Sequence, residues 1–147
     1  MWLVDTSAWV EFLRAPRRLL LEDLAPGGGQ IVTCLSVIQE VLQGIDDERA
    51  YSGIQAALLA WPSVDSPLTS AAVHDAVQIY RQTRRAGVTV RSSVDCLIAA
   101  AALRNGLSVV HCDRDFAAIS RVTGLRHLDL SPRLTRRNWP RASWTRC

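Results

Sequence analysis

Asp5, Glu40, Asp95 and Asp113 are the side chains of this 147-residue sequence best suited to chemistry. They lie far apart along the chain, yet three have similar settings. Asp5 closes the apolar run Trp2-Leu3-Val4, Asp113 follows Leu107-Ser108-Val109-Val110, and Asp95 opens the helix-like run Cys96 to Leu103. In a parallel α/β sheet, strand C-termini and helix N-termini gather along one edge, where such folds place their sites. Acids collected there repel one another unless a cation sits between them, and the chain contains no Lys: all 17 basic residues are Arg. A hard divalent ion such as Mg²⁺ suits oxygen donors of this kind.

Each acid has a plainer explanation as well. An Asp in the first turn of a helix satisfies free N–H groups and complements the dipole, contributing about 1 kcal/mol. Ser92-x-x-Asp95 has the form of a capping box. Glu40 does not fit that explanation. On a helix from about Ser36 to Gln43 it shares a stripe with Val37, Val41 and Gly44, because successive residues rotate by about 100°. A carboxylate turned inward needs a partner or a metal, and no basic residue stands within a helical turn. In the span His111-Cys112-Asp113-Arg114-Asp115-Phe116, Asp115 is a possible auxiliary acid, and Ser7 is placed either to cap a helix or to bond a metal-held water. No second Cys/His pair at ligand spacing supports zinc.

The elements that must position these groups alternate. Strands are expected at Trp2–Val4, Gln30–Thr33, Ser108–Val110 and Leu125–Leu130, with a further short one within Trp61–Asp65. Helices are expected from Thr6 to Arg14, Arg17 to Leu24, Ser36 to Gln43, Asp47 to Ala60, Thr69 to Arg85, Ser92 to Leu103 and Asp113 to Val122, with Pro and Gly at the breaks. Strands separated by helices imply a mostly parallel sheet covered on both faces. The length is that of one domain, able to bury roughly 70% of the surface its unfolded chain exposes.

The net charge of +3 conceals an asymmetry. Residues 131–147 hold five Arg and no acid, and the other 130 residues hold 12 Arg against 14 acids. The basicity therefore belongs to a tail, in which Arg133, Arg136, Arg137, Trp139, Arg141 and Trp144 interleave cations with aromatics. The N-terminus lacks the pattern of a signal peptide, and no apolar run approaches the ~20 residues needed to span a bilayer. Cys34, Cys96, Cys112 and Cys147 form no CxxC pair and are expected to be reduced thiols of a cytoplasmic protein.

Val4-Asp5-Thr6-Ser7-Ala8-Trp9, Gln39-Glu40-Val41-Leu42-Gln43-Gly44, Asp95-Cys96-Leu97-Ile98-Ala99-Ala100 and Asp113-Arg114-Asp115-Phe116 occur in the order found in PIN domains. Over residues 1–130 the chain resembles a PIN-domain toxin of the VapC type. The resemblance implies a three-layer α/β/α fold with about five parallel strands, and ribonuclease activity dependent on Mg²⁺ or Mn²⁺. It also implies a cognate antitoxin as inhibitor and a homodimer or toxin–antitoxin hetero-oligomer. By position, Asp5, Glu40, Asp95 and Asp113 match the family's acidic quartet, with Asp5, Asp95 and Asp113 as metal ligands. Arg91 departs from the family pattern, where a small residue is common. With Arg14 and Arg114 it is a candidate for gripping RNA phosphates. A receiver domain would need a Lys that is absent, and a dehalogenase-type phosphatase would need an Asp where Ser7 stands. A catalytically silent PIN-like binding module, or a PIN nuclease that is not a toxin, remains the alternative.

Overall fold

Leu3, Val4, Val109 and Val110 are all wholly buried. Neighbouring residues of a strand point to opposite faces, so the sheet they form is covered on both sides. The computed structural model describes residues 1–15 and 18–135. Its sheet contains β1 (Trp2–Val4), β2 (Ile31–Val32), β3 (Ser108–His111) and β4 (His127–Asp129) in the order β2-β1-β3-β4, all parallel. Trp2, Leu3 and Val4 stand opposite Ser108, Val109 and Val110, which aligns the ends of the two central strands.

The sheet has four strands among the described residues, one short of the expected number of about five. Trp61–Asp65 contributes a single bridge, Ser63 to Thr33, instead of a strand. The cause is local: Pro62 lies within the segment and Pro67 just after it, neither with an N–H to donate to a ladder, and Asp65 adopts a positive φ of 48°.

The helices are α1 (Thr6–Arg14), α2 (Leu21–Leu24), α3 (Leu35–Gln43), α4 (Glu48–Ala60), α5 (Ser70–Arg85), α6 (Ser93–Arg104), α7 (Arg114–Thr123) and α8 (Ser131–Thr135). Side-chain caps begin several of them: Asp5, Asp47, Thr69, Ser92 and Asp113 each accept a backbone N–H from the first turn. Of the expected helix from Arg17 to Leu24, Leu21–Leu24 is helical and Arg18–Leu20 is not, while Arg17 lies outside the described residues. Helices α5, α6 and α7 pack on one another, and α3 packs on α1, α4 and α6. Ala99 to Ala102 are buried on α6, and their small side chains allow this close approach. Phe116, Ile98, Ile119 and Leu130 are the bulkier groups filling the space beside β3.

Residues 131–135, the start of the basic tail, form α8, where Leu134 packs on the core and Arg133 pairs with Asp23. Arg136, Arg137, Trp139, Arg141 and Trp144 lie outside the described residues. Among the described residues no helix is long and apolar enough to cross a membrane. Cys34, Cys96 and Cys112 are free thiols.

One contact outside the site is tight enough to test. The Trp2 indole donates to the Pro26 carbonyl at 3.2 Å and lies against Gly29. A Cβ on Gly29 would stand 2.6 Å from Trp2 Nε1. Gly29→Ala should therefore displace the indole and cost about 2 kcal/mol, lowering the melting temperature by about 6 °C. A parental melting temperature would show that Trp2 relocates freely.

Candidate active site

The edge formed by the C-termini of β1 and β3 is the point where the chain reverses its order across the sheet, running to β2 on one side and β4 on the other. Crevices at such a reversal are where parallel sheets bind ligands. Asp5 follows β1 directly and Asp113 follows β3 after one residue. Helix α6 leads back into β3, so its N-terminus, with Asp95 at the third position, reaches the same edge.

Asp5 is 2% exposed. Its Oδ2 accepts the Ser7 N–H at 2.8 Å and the Ser7 hydroxyl at 2.5 Å. Ser7 Oγ in turn accepts the Cys112 N–H at 2.9 Å, fastening α1 to the turn after β3. The second oxygen, Oδ1, is buried with no hydrogen-bond partner. Burial is the main reason the Asp5 carboxyl is pushed up to about 6, with the Glu40 charge adding and the Ser7 bonds opposing.

Asp95 is 8% exposed. Ser92 caps α6 through the Val94 N–H at 3.1 Å, not through Asp95, so the expected capping box does not use this carboxylate. Burial, followed by the charges of Asp5, Asp113, Asp115 and Glu40, raises it to about 8. Asp5, Glu40, Asp113 and Asp115 thus stand close enough to Asp95 for their charges to act on it. A carboxyl at about 8 beside a buried, unpartnered carboxylate oxygen describes a pocket short of positive charge. Oxygen donors arranged in this way suit a hard divalent ion. As the side chains stand, no group of three or more His, Cys, Asp or Glu among the described residues closes into a ready-made ion cage.

Glu40 is half-buried, and its Oε2 accepts the Thr6 hydroxyl at 2.7 Å. Its helical stripe pointed to an inward setting; the partner, a hydroxyl from α1, left no sequence signal. Asp113 caps α7 by accepting the Asp115 N–H at 2.9 Å, and both its oxygens face Arg91 Nη2 at 3.0 and 3.4 Å. Asp115, 4% exposed, accepts the Arg91 backbone N–H at 2.8 Å and its Nε at 3.3 Å.

Behind the turn, His111 is wholly buried between Phe116 and His127. Its Nδ1 accepts the Asp113 N–H at 3.2 Å, so Nε2 carries the proton and donates to His127 Nδ1 at 2.8 Å. Burial and the neighbouring His127 hold it down to about 4, and it stays neutral. Nothing within a turn of chain from His127 marks it for this partner. The pair joins positions 16 residues apart through strand register, His127 standing opposite Val109.

Of the three candidate phosphate-gripping residues, Arg91 and Arg114 are at the acidic edge. Arg114 is exposed at the first position of α7, and Arg91 is bonded to Asp113 and Asp115. Arg14 is not brought there. It ends α1, about 13 Å along the helix axis from the Asp5 end.

Comparison with known proteins agrees with this geometry. Residues 2–122 match the PIN domain family. The chain is 43% identical over 136 residues to Ribonuclease VapC11 of Mycobacterium tuberculosis, covering 86% of this chain and 96% of that one. It is 32% identical over 123 residues to Ribonuclease VapC51 of the same organism, covering 84% and 88%. The fold is similar to that in VapBC-1 of nontypeable Haemophilus influenzae, at a TM-score of 0.67 and 12% identity, over 88% of this chain and 98% of that one. The chain is thus a PIN-domain protein and belongs to the VapC ribonuclease family.

Proposed function

We propose that this chain is the toxin of a type II toxin–antitoxin pair, an endoribonuclease that hydrolyses RNA phosphodiester bonds with a divalent ion and is silenced by a cognate antitoxin. The observation that carries the reading is the set of carboxylates on one sheet edge, with Asp95 raised to about 8 and Asp5 Oδ1 unpartnered. Asp5, Asp95 and Asp113 would hold the ion, Mg²⁺ or Mn²⁺. When bound, it supplies positive charge against the phosphate and makes a water a better nucleophile.

The chain's own groups do the rest. Ser7 fixes the rotamer of Asp5 and ties it to the turn carrying Asp113. Thr6 holds one oxygen of Glu40, leaving the other to orient the attacking water and take its proton. Asp115 acts as an auxiliary by anchoring residue 91. Arg91 and Arg114 grip RNA phosphates. Residues 1–130 form the nuclease domain and 131–147 a basic appendage beginning with α8. The antitoxin is supported by similar solved structures, among them a toxin–antitoxin complex from Klebsiella pneumoniae and a member of the VapBC family of toxin–antitoxin systems from Mycobacterium tuberculosis. A homodimer or a hetero-oligomer with that antitoxin, in the cytoplasm, completes the reading.

The test is cleavage of a total-RNA pool by the antitoxin-free protein, with product ends mapped. Discrete cuts are expected with Mg²⁺ or Mn²⁺ and none with EDTA. Glu40→Gln should slow cleavage about 10- to 100-fold while leaving ion affinity nearly unchanged, because it acts outside the direct ligands. Undiminished cutting in EDTA would overturn the metal-dependent reading.

A further inference from the structure

Among the described residues, Arg91 is the cation that pairs with the acids of this pocket. It lies in the loop between α5 and α6, one residue before the Ser92 cap and directly after Val90, which is 2% exposed. Its backbone N–H and its Nε both donate to Asp115 Oδ2, at 2.8 and 3.3 Å. That double hold aims the end of the guanidinium, and Nη2 meets both oxygens of Asp113. Asp113 is thereby engaged by a guanidinium, while Asp5 and Asp95, which are more deeply buried, form no ion pair among the described residues.

The arm is built to let go. The Arg91 side chain is 56% exposed and that of Asp113 31%, whereas Asp115 is 5% exposed. An ion pair so open to solvent is weak and easily exchanged. The anchor at Asp115 rests on the residue 91 backbone and survives loss of the guanidinium.

We propose that Arg91 is a resident counter-cation of the acidic pocket: it occupies Asp113 in the RNA-free protein, weakens divalent-ion binding, and passes to an RNA phosphate when Asp113 turns to the ion. The inference rests on the reading of Asp5, Asp95 and Asp113 as ion ligands and adds a regulation to it. Arg91 is a positioning residue here, because it acts on the ion through Asp113. The physical argument is charge balance. One positive charge a few ångströms from the ligands opposes a dication directly, and solvent at the pocket mouth screens that repulsion only in part. Freed from Asp113, the same planar fork suits a phosphate's paired oxygens.

The experiment is Mn²⁺ binding by calorimetry on the antitoxin-free full chain without RNA, for the parent, Arg91→Gln, Arg91→Lys and Asp95→Asn, with folding checked by circular dichroism. Arg91→Gln is expected to bind Mn²⁺ about tenfold more tightly, and Arg91→Lys to stay within about threefold of the parent because it keeps the charge. At saturating Mn²⁺, Arg91→Gln should raise KM for RNA about fivefold with kcat little changed. A folded Arg91→Gln that binds Mn²⁺ no more tightly than the parent overturns the counter-cation, and an unchanged KM overturns the transfer to phosphate. The failure of the underlying reading looks different. If the parent binds no Mn²⁺, or Asp95→Asn binds it as the parent does, the ion site itself is wrong and the inference falls with it.

Discussion

Asp95→Asn is expected to reduce RNA cleavage by about a thousandfold or more and, in EDTA, to make the protein more stable than its parent. The two effects have one origin. Asp95 is 8% exposed, and burial plus the charges of Asp5, Asp113, Asp115 and Glu40 raise its carboxyl to about 8. Above that pH the metal-free fold must carry a buried charge among like charges. Asn keeps the shape and removes the charge, a relief of about 1 kcal/mol after allowing for solvent screening. The same charge is what an ion would need, and a thousandfold loss corresponds to about 4 kcal/mol of transition-state stabilisation. Ser92, not Asp95, caps α6, so the substitution does not remove a cap. Thermal melts in EDTA at pH 8.5, with cleavage assays on the same preparation, separate the possibilities. Loss of both stability and activity would mean that Asp95 is a structural residue.

The second large effect is a stability that declines with pH until an ion is added. Asp5 and Asp95 lie at about 6 and about 8 in the folded protein, against an ordinary value of 3.8. The folded state therefore holds protons that the unfolded chain has already released. The stability this confers is fully present below about 4 and is lost as pH rises through 6 and then 8. His111 acts in the opposite sense at the acid end. It is held to about 4 against an ordinary 6.5, so its contribution is present above 6.5 and is lost as pH falls through 4. Between pH 6.5 and 8 the carboxyls act alone, and above that range the thiols of Cys96 and Cys112, raised to about 11 and about 12 by burial, add a further decline.

In EDTA the fold should lose about 1 kcal/mol from pH 6.5 to 8, or about 3 °C of melting temperature. With saturating Mn²⁺ the trend should reverse, because ligands must shed protons to bind and affinity then rises with pH. Calorimetry in buffers of different ionisation enthalpy should find about one proton released per ion near pH 7. A flat or rising profile in EDTA would mean that the carboxyls titrate near their ordinary range and that the pocket is not short of charge.

What can be read from this sequence is what depends on neighbours along the chain. Trp2–Val4 and Ser108–Val110 read as strands from short apolar runs; Asp47, Thr69 and Ser92 read as helix starts because a side-chain oxygen there meets free N–H groups one turn on. The convergence of Asp5, Asp95 and Asp113 on one edge follows from the same alternation, since parallel connections return every strand end to one side. The inward stripe of Glu40 and the oddity of Arg91 were legible too. The failures were also local. Trp61–Asp65 has apolar residues enough for a strand, but Pro62 within it and Pro67 after it leave one bridge.

Tertiary structure decided the partners. Thr6 reaches Glu40 across 34 residues, Arg91 reaches Asp113 across 22, and Cys112 donates to Ser7 across 105. His111 and His127 meet only because β3 and β4 pair in one register and not the next. The physical reason is that propensity, periodicity and caps act over a turn or two of chain. Hydrogen bonds and charges act over about 3 to 6 Å of space, and which side chains come within that distance is set by how helices pack on the sheet. The sequence by itself determined that acids would gather at the strand ends, and packing alone decided which of them are held by a hydroxyl, which by Arg91, and which face the pocket unpartnered.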